Sequence, residues 1–236
     1  MAKFLVAHGA WSGGWAWKKM HPLMRQRGHE LLTPSCSGIG ERAHLASPEI
    51  GLETHIADIL GVLRYEDLKD VILIGHSYGG MVATGVADRA AERLSKLVYL
   101  DAFVPRDGQS LLSLHTEETR KRISEALKTT GEGWRVPANP MPPDTSDADN
   151  AWCLPLRVTQ PIKCFDQKLS LTGAVDRLPR TYIYCTRPRP DDIFSQFAKR
   201  ARSEKGWTCH DIDASHNPHI TCPEVLAPLL DRIARP

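Results

Sequence analysis

The chain has 236 residues, 42% hydrophobic and 25% charged, which suffices for one domain with a sizeable core and is too short for two comfortable ones. Its formal net charge of +2 is close to balance and no basic run exceeds a few residues, which argues against a nucleic-acid surface. No apolar stretch approaches the roughly 20 residues that cross a bilayer, and the opening run Phe4-Leu5-Val6-Ala7 is too short for a signal-peptide core.

In chain order, short runs rich in β-branched residues alternate with helix-length segments. A strand is expected at Phe4–Ala7, then a helix near Trp17–Arg27, a strand at Glu30–Thr33 and a helix at Leu52–Glu66. A strand at Val71–Ile74, a helix at Gly80–Arg93 and a strand at Leu97–Leu100 follow. After a long interruption come a strand at Thr181–Cys185, a helix at Asp192–Ser203, a strand at Cys209–Ile212 and a helix at Pro223–Ala234. The runs at Val71–Ile74 and Leu97–Leu100 are continuously apolar, as strands covered on both faces must be. The pattern implies an α/β fold: a doubly wound, mostly parallel sheet of about six strands.

The interruption, Val104–Leu178, holds a charged helical stretch at Glu117–Lys128 and then the proline-rich run Pro137–Asp144. It is too long for a loop without its own structure. The expected organisation is a core of residues 1–103 and 179–236 with residues 104–178 inserted as a mainly helical cap. Six cysteines show no C-x-x-C pair and no metal-ligand spacing, so reduced, mostly buried thiols in a cytoplasm are expected. No H-E-x-x-H and no dinucleotide fingerprint appears, and neither a metal nor a cofactor is expected.

Gly75-His76-Ser77-Tyr78-Gly79 is G-x-S-x-G. It lies between a buried strand and a helix, the setting in which a serine sits on a strained turn with its hydroxyl exposed above the sheet. A serine hydroxyl is a poor nucleophile without a base in hydrogen-bond reach. Of ten histidines, His216 follows the last strand, giving the order nucleophile first and histidine last; His219, three residues on, is its near competitor. The glycine-rich turn His8-Gly9-Ala10 through Gly13-Gly14-Trp15 follows the first strand, and the backbone N–H groups of Ala10 and Tyr78 are the candidates for an oxyanion hole. Trp15, Trp17, Trp134 and Trp152 are candidates for an acyl pocket or for plain core.

His8-Gly9-Ala10, Gly13-Gly14-Trp15, the serine turn and the late histidine together resemble the α/β-hydrolase superfamily. The nearer resemblance is to the branch holding plant methyl-ester esterases, salicylate-binding protein and hydroxynitrile lyases, with bacterial esterases beside them. It covers nearly the whole chain and weakens through the cap. The lyases carry a threonine where Gly9 stands and a lysine where Asn217 stands, so the resemblance favours ester hydrolysis here. The acid stays open. Asp101 ends the strand after the serine strand, a position some superfamily members use. The esterases and lyases instead use an aspartate after the next strand, where Asp191 fits best and Asp192 is adjacent.

These readings predict a cofactor-free carboxylesterase acting on a small, apolar or aromatic ester, with Ser77 as nucleophile, His216 as base and Asp101 (alternatively Asp191) as acid. The alternatives are a lyase-like or other non-hydrolytic enzyme on the same fold, or a ligand-binding receptor without turnover.

Overall fold

The computed structural model describes residues 1–189 and 191–235. Its first half runs β1 (Lys3–Ala7), α1 (Met20–Gln26), β2 (Glu30–Leu32), α2 (Leu52–Tyr65), β3 (Val71–His76), α3 (Gly79–Arg89) and β4 (Leu94–Leu100). Between β4 and the next long strand lie α4 (Leu111–Leu114), α5 (Glu117–Thr129), β5 (Arg135–Val136), α6 (Asp147–Cys153), β6 (Gln160–Pro161) and α7 (Lys163–Asp166). The chain closes with β7 (Arg180–Cys185), α8 (Ser195–Ser203), β8 (Trp207–Ile212), α9 (Pro218–Thr221) and α10 (Pro223–Ala234).

Six strands form one sheet in the order β2-β1-β3-β4-β7-β8, and every pairing in it is parallel. All six expected strands are present and in the sheet. Successive side chains point to opposite faces of a strand, and both faces are filled. Leu5, Leu73, Leu97, Tyr99 and Tyr182 share one core with Ile56 of α2, Met81 of α3 and Phe197 of α8. Phe4, Val6, Ile72, Ile74, Val98 and Ile183 share the other with Met20 and Met24 of α1 and Leu226 and Leu230 of α10. Continuous apolar runs are the consequence of that two-sided burial.

Helix ends depart from expectation by a few residues for local reasons. Gly14–Trp17 forms a separate 3-10 turn before α1. α8 starts at Ser195 rather than Asp192 because the Asp192 carboxylate accepts from the Ser195 N–H at 3.2 Å. The antiparallel pair β5–β6 is too short to have left a period in the sequence. Where the chain returns from this segment to the sheet, the buried Asp88 of α3 accepts from the backbone N–H groups of Thr172, Gly173 and Val175 at 2.6, 3.0 and 3.2 Å. No two of the six cysteines are joined. Among the described residues no helix is long and apolar enough to cross a membrane.

In an open parallel sheet the strand order reverses at one point, and the loops at the carboxyl ends diverge there to leave a crevice. Here the reversal lies between β1 and β3. The turns after β1, β3, β4 and β8 therefore carry Ala10, Ser77, Asp101 and His216 to one edge.

Candidate active site

Ser77 directly follows β3 with φ of 54°, in the left-handed region that a non-glycine residue enters only when its surroundings enforce it. Its N–H donates to Leu100 O at 3.3 Å and its carbonyl accepts from Phe103 N and Gly80 N. The turn can be this tight because Gly79 lies against β1: a Cβ there would stand 1.9 Å from Ala7 O. The serine is pushed out of the sheet edge and α3 begins directly beneath it.

Ser77 Oγ lies 2.9 Å from His216 Nε2, and His216 Nδ1 lies 2.6 Å from Asp101 Oδ2. The three side chains come from turns after β3, β8 and β4, far apart in sequence. Asp101 is fully buried and, like Ser77, left-handed, with φ of 43°. The His216 ring stacks on Phe194 at 4.9 Å between centroids and 15° between planes. On its other side, His76 Nε2 donates to the His216 carbonyl at 2.8 Å. Burial, with the neighbouring His216 adding to it, lowers His76 to about 3, so His76 is neutral and donates from Nε2. His219, the near competitor, is buried and stacks on Trp17 at 4.5 Å; His216, not His219, meets the serine.

Asp191 does not reach His216. It is exposed, and Asp192 instead meets the Tyr184 hydroxyl, Arg189 Nε and Ser195 N–H. What that loop does bring to the site is a cation, which sequence reasoning missed. Arg189 grips Asp101 with both terminal nitrogens, Nη1 on Oδ2 and Nη2 on Oδ1 at 3.0 Å, while Nη2 also donates to Cys185 O at 2.9 Å. With the Cys185 N–H at 3.2 Å, Asp101 is saturated with donors. Burial alone would raise its carboxyl, but hydrogen bonds and charge from His216 and Arg189 outweigh it and hold Asp101 below the usual carboxylate range. The signal for Arg189 was present in the alternating Arg187-Pro188-Arg189, yet only proximity in space shows which carboxylate it serves.

Arg189→Met should therefore raise the Asp101 carboxyl, since desolvation then meets less opposition. A group whose folded pKa is depressed stabilises the fold above its unfolded value and loses that contribution as pH falls through the folded value. The acid-unfolding midpoint of Arg189→Met, followed by tryptophan fluorescence, should accordingly lie at higher pH than that of wild type. An unchanged midpoint would show that the ion pair contributes nothing.

The Ala10 and Tyr78 amides have no hydrogen-bond partner among the described residues. The Tyr78 side chain is anchored behind the turn, its hydroxyl 2.9 Å from His55 Nδ1, and His55 Nε2 lies 2.9 Å from Ser37 O. Gly9 packs against the site: a Cβ there would stand 2.7 Å from His76 Nδ1 and 3.3 Å from Ser77 Cβ.

Above these groups lies a cavity of about 950 Å³, at the upper end of small-molecule pockets. The loop residues Trp11, Trp15 and Phe194 line it from the sheet side, and Leu111, Ile123, Met141 and Phe165 line it from the segment between β4 and β7. Of the tryptophans singled out in the sequence, Trp15 lines the cavity. Trp17 is core, and Trp152 packs edge-on against Trp15 at 5.7 Å. Trp11, not anticipated, is a lining residue.

Residues 4–229 match the model of the alpha/beta hydrolase family. The chain is 38% identical over 240 residues to a carbendazim hydrolyzing esterase of Nocardioides sp. (strain SG-4G), covering 96% of this chain and 97% of the relative. Methylesterase 2 of Arabidopsis thaliana is 24% identical over 272 residues, covering 98% and 95%. The solved structure of an extracellular alpha/beta-hydrolase from a Paenibacillus species superposes over the full length of both chains with a TM-score of 0.87 at 24% identity. Motif, sheet and relatives agree, and the chain belongs to the alpha/beta hydrolase family as a carboxylesterase-type hydrolase of the branch that includes the plant methylesterases.

Proposed function

We propose that this hydrolase cleaves small esters with apolar or aromatic groups through an acyl-enzyme, with Ser77 as nucleophile, His216 as general base and acid, and Asp101 orienting the imidazole. The observation that supports it most is the unbroken line from Ser77 Oγ through His216 to Asp101, at 2.9 and 2.6 Å, at the floor of an apolar cavity. Asp101, kept ionised, accepts the Nδ1–H and leaves Nε2 free to take the serine proton. Ser77 Oγ then attacks the ester carbonyl, and the oxyanion is met by the N–H groups of Ala10 and Tyr78. His216 returns the proton to the departing alcohol. Water, deprotonated by the same imidazole, adds to the acyl group, and the acid leaves as Ser77 recovers its proton.

A lyase reading receives no support at Gly9. The threonine of the lyases would bring a Cβ to within 2.7 Å of His76 Nδ1, so its hydroxyl has no room unless His76 moves.

Residues 104–178 act in this reading as a cap that selects substrates. Met141 lines the cavity, whereas Trp152 does not. Met141→Ala should therefore change the ranking of kcat/KM among aromatic and aliphatic methyl esters and carbendazim, by factors of roughly 10–200, the scale set by about 1–3 kcal/mol per apolar group. Equal scaling of every substrate would contradict the cap assignment. Failure of the wild type to hydrolyse any ester of the panel would overturn the proposal as a whole.

A further inference from the structure

Trp11 follows the proposed oxyanion residue Ala10 and has φ of 59°, a conformation that a bulky aromatic residue holds only under constraint. The constraint comes from the segment between β4 and β7, and it consists of three hydrogen bonds around one residue. The Trp11 N–H donates to Gln160 Oε1 at 2.9 Å. The indole Nε1–H donates to Val136 O at 3.0 Å. The Trp11 carbonyl accepts from Val158 N at 3.4 Å. Val136 and Gln160 are register partners in the β5–β6 pair, so this miniature sheet closes on Trp11 from both of its strands. Gln160 is fully buried, where an amide is costly unless its polar atoms are used, and its oxygen is used on the Trp11 N–H.

Phe165 of α7 ties the two halves of the oxyanion hole together. Its ring meets Trp11 edge-on at 5.7 Å and Tyr78 at 5.6 Å. The same segment therefore fixes the residue after one proposed oxyanion donor and touches the side chain of the other.

We propose that the β5–β6 pair is a clasp that sets the oxyanion hole, with Gln160 as a positioning residue that holds the Ala10 N–H in line through Trp11. This rests on the assignment of the Ala10 and Tyr78 amides above. It gives the inserted segment a part in the chemical step in addition to substrate choice. Losing an oxyanion donor outright costs about 10²–10³ in kcat, and a displaced donor costs part of that.

The test is the kinetics of Gln160→Met, Gln160→Glu and Trp11→Phe on one good ester, together with inhibition by a trifluoromethyl ketone, whose serine adduct carries an oxyanion. Gln160→Met should lower kcat by about 10–100-fold with KM nearly unchanged, and should weaken the ketone by a similar factor. Gln160→Glu, which keeps an acceptor for the Trp11 N–H, should recover most of the rate. Trp11→Phe, which loses the indole bond and also trims a ring that lines the cavity, should show the kcat and ketone losses more weakly whatever its KM, and it carries the test if Gln160→Met does not fold. Ketone affinity and kcat unchanged in folded Gln160→Met, a loss confined to KM, or equal rates for the Met and Glu variants would overturn the clasp. No ketone adduct on the wild type would instead overturn the oxyanion assignment beneath it.

Discussion

Asp101→Asn should leave a folded protein whose kcat is lower by about 10⁴, the size of loss seen for a triad aspartate on another fold. The asparagine amide can donate to His216 Nδ1, which stabilises the tautomer carrying its proton on Nε2. That nitrogen faces Ser77 Oγ at 2.9 Å and would then have no lone pair for the serine proton. The substitution also leaves Arg189, gripping the same carboxylate, without its full counter-charge. Breaking a buried pair costs about 3–5 kcal/mol, so Tm should fall as well. Kinetics well below the variant's Tm separate the two effects. Asp191→Asn, in an exposed residue without a bond to His216, should stay near wild type. The reverse pattern would move the acid to the loop after β7.

Replacing His216, the proposed base, should cost still more. His216→Ala should lose about 10⁶ in kcat, the scale found when nucleophile or base is removed from such a pair. The further loss in a Ser77→Ala/His216→Ala double variant should be small, because the two side chains act as one unit. Its two nearest histidine neighbours are poorly placed to substitute. His76 is neutral, its Nε2 donates to the His216 carbonyl, and His219 lies buried against Trp17. His219→Ala should thus mainly lower Tm. Additive losses in the double variant, or a larger kinetic effect at His219 than at His216, would contradict the assignment.

The inner strands were readable because burial on both faces leaves apolar, β-branched runs such as Val71–Ile74, and the half-exposed edge strands β2 and β8 because they fall where the alternation with helices requires them. That Ser77 and His216 would meet was readable because the fold dictates where each must stand relative to strands already located. The acid was not. Asp101 and Asp191 both follow strands, and the choice depends on which turn bends towards His216. Asp101 does so through a left-handed residue directly at the strand end, while the later loop spends its length bringing Arg189 inward. Neither the φ of 43° at Asp101 nor the reach of Arg189 leaves a local pattern. The β5–β6 pair was invisible for a related reason. Two-residue strands have no period, and Gln160-Pro161 reads as a turn until Trp11, 149 positions away from Gln160, supplies the partner.

The covalent acyl intermediate proposed at Ser77 can be trapped and located by intact-mass and peptide analysis after reaction with a fluorophosphonate, and after rapid acid quench with a chromogenic ester. One adduct is expected, carried by the peptide containing Ser77 and absent from Ser77→Ala together with the esterase activity, with a product burst equal to the enzyme concentration where deacylation is slow. An adduct on a different residue, or esterase activity that survives in Ser77→Ala, would contradict it.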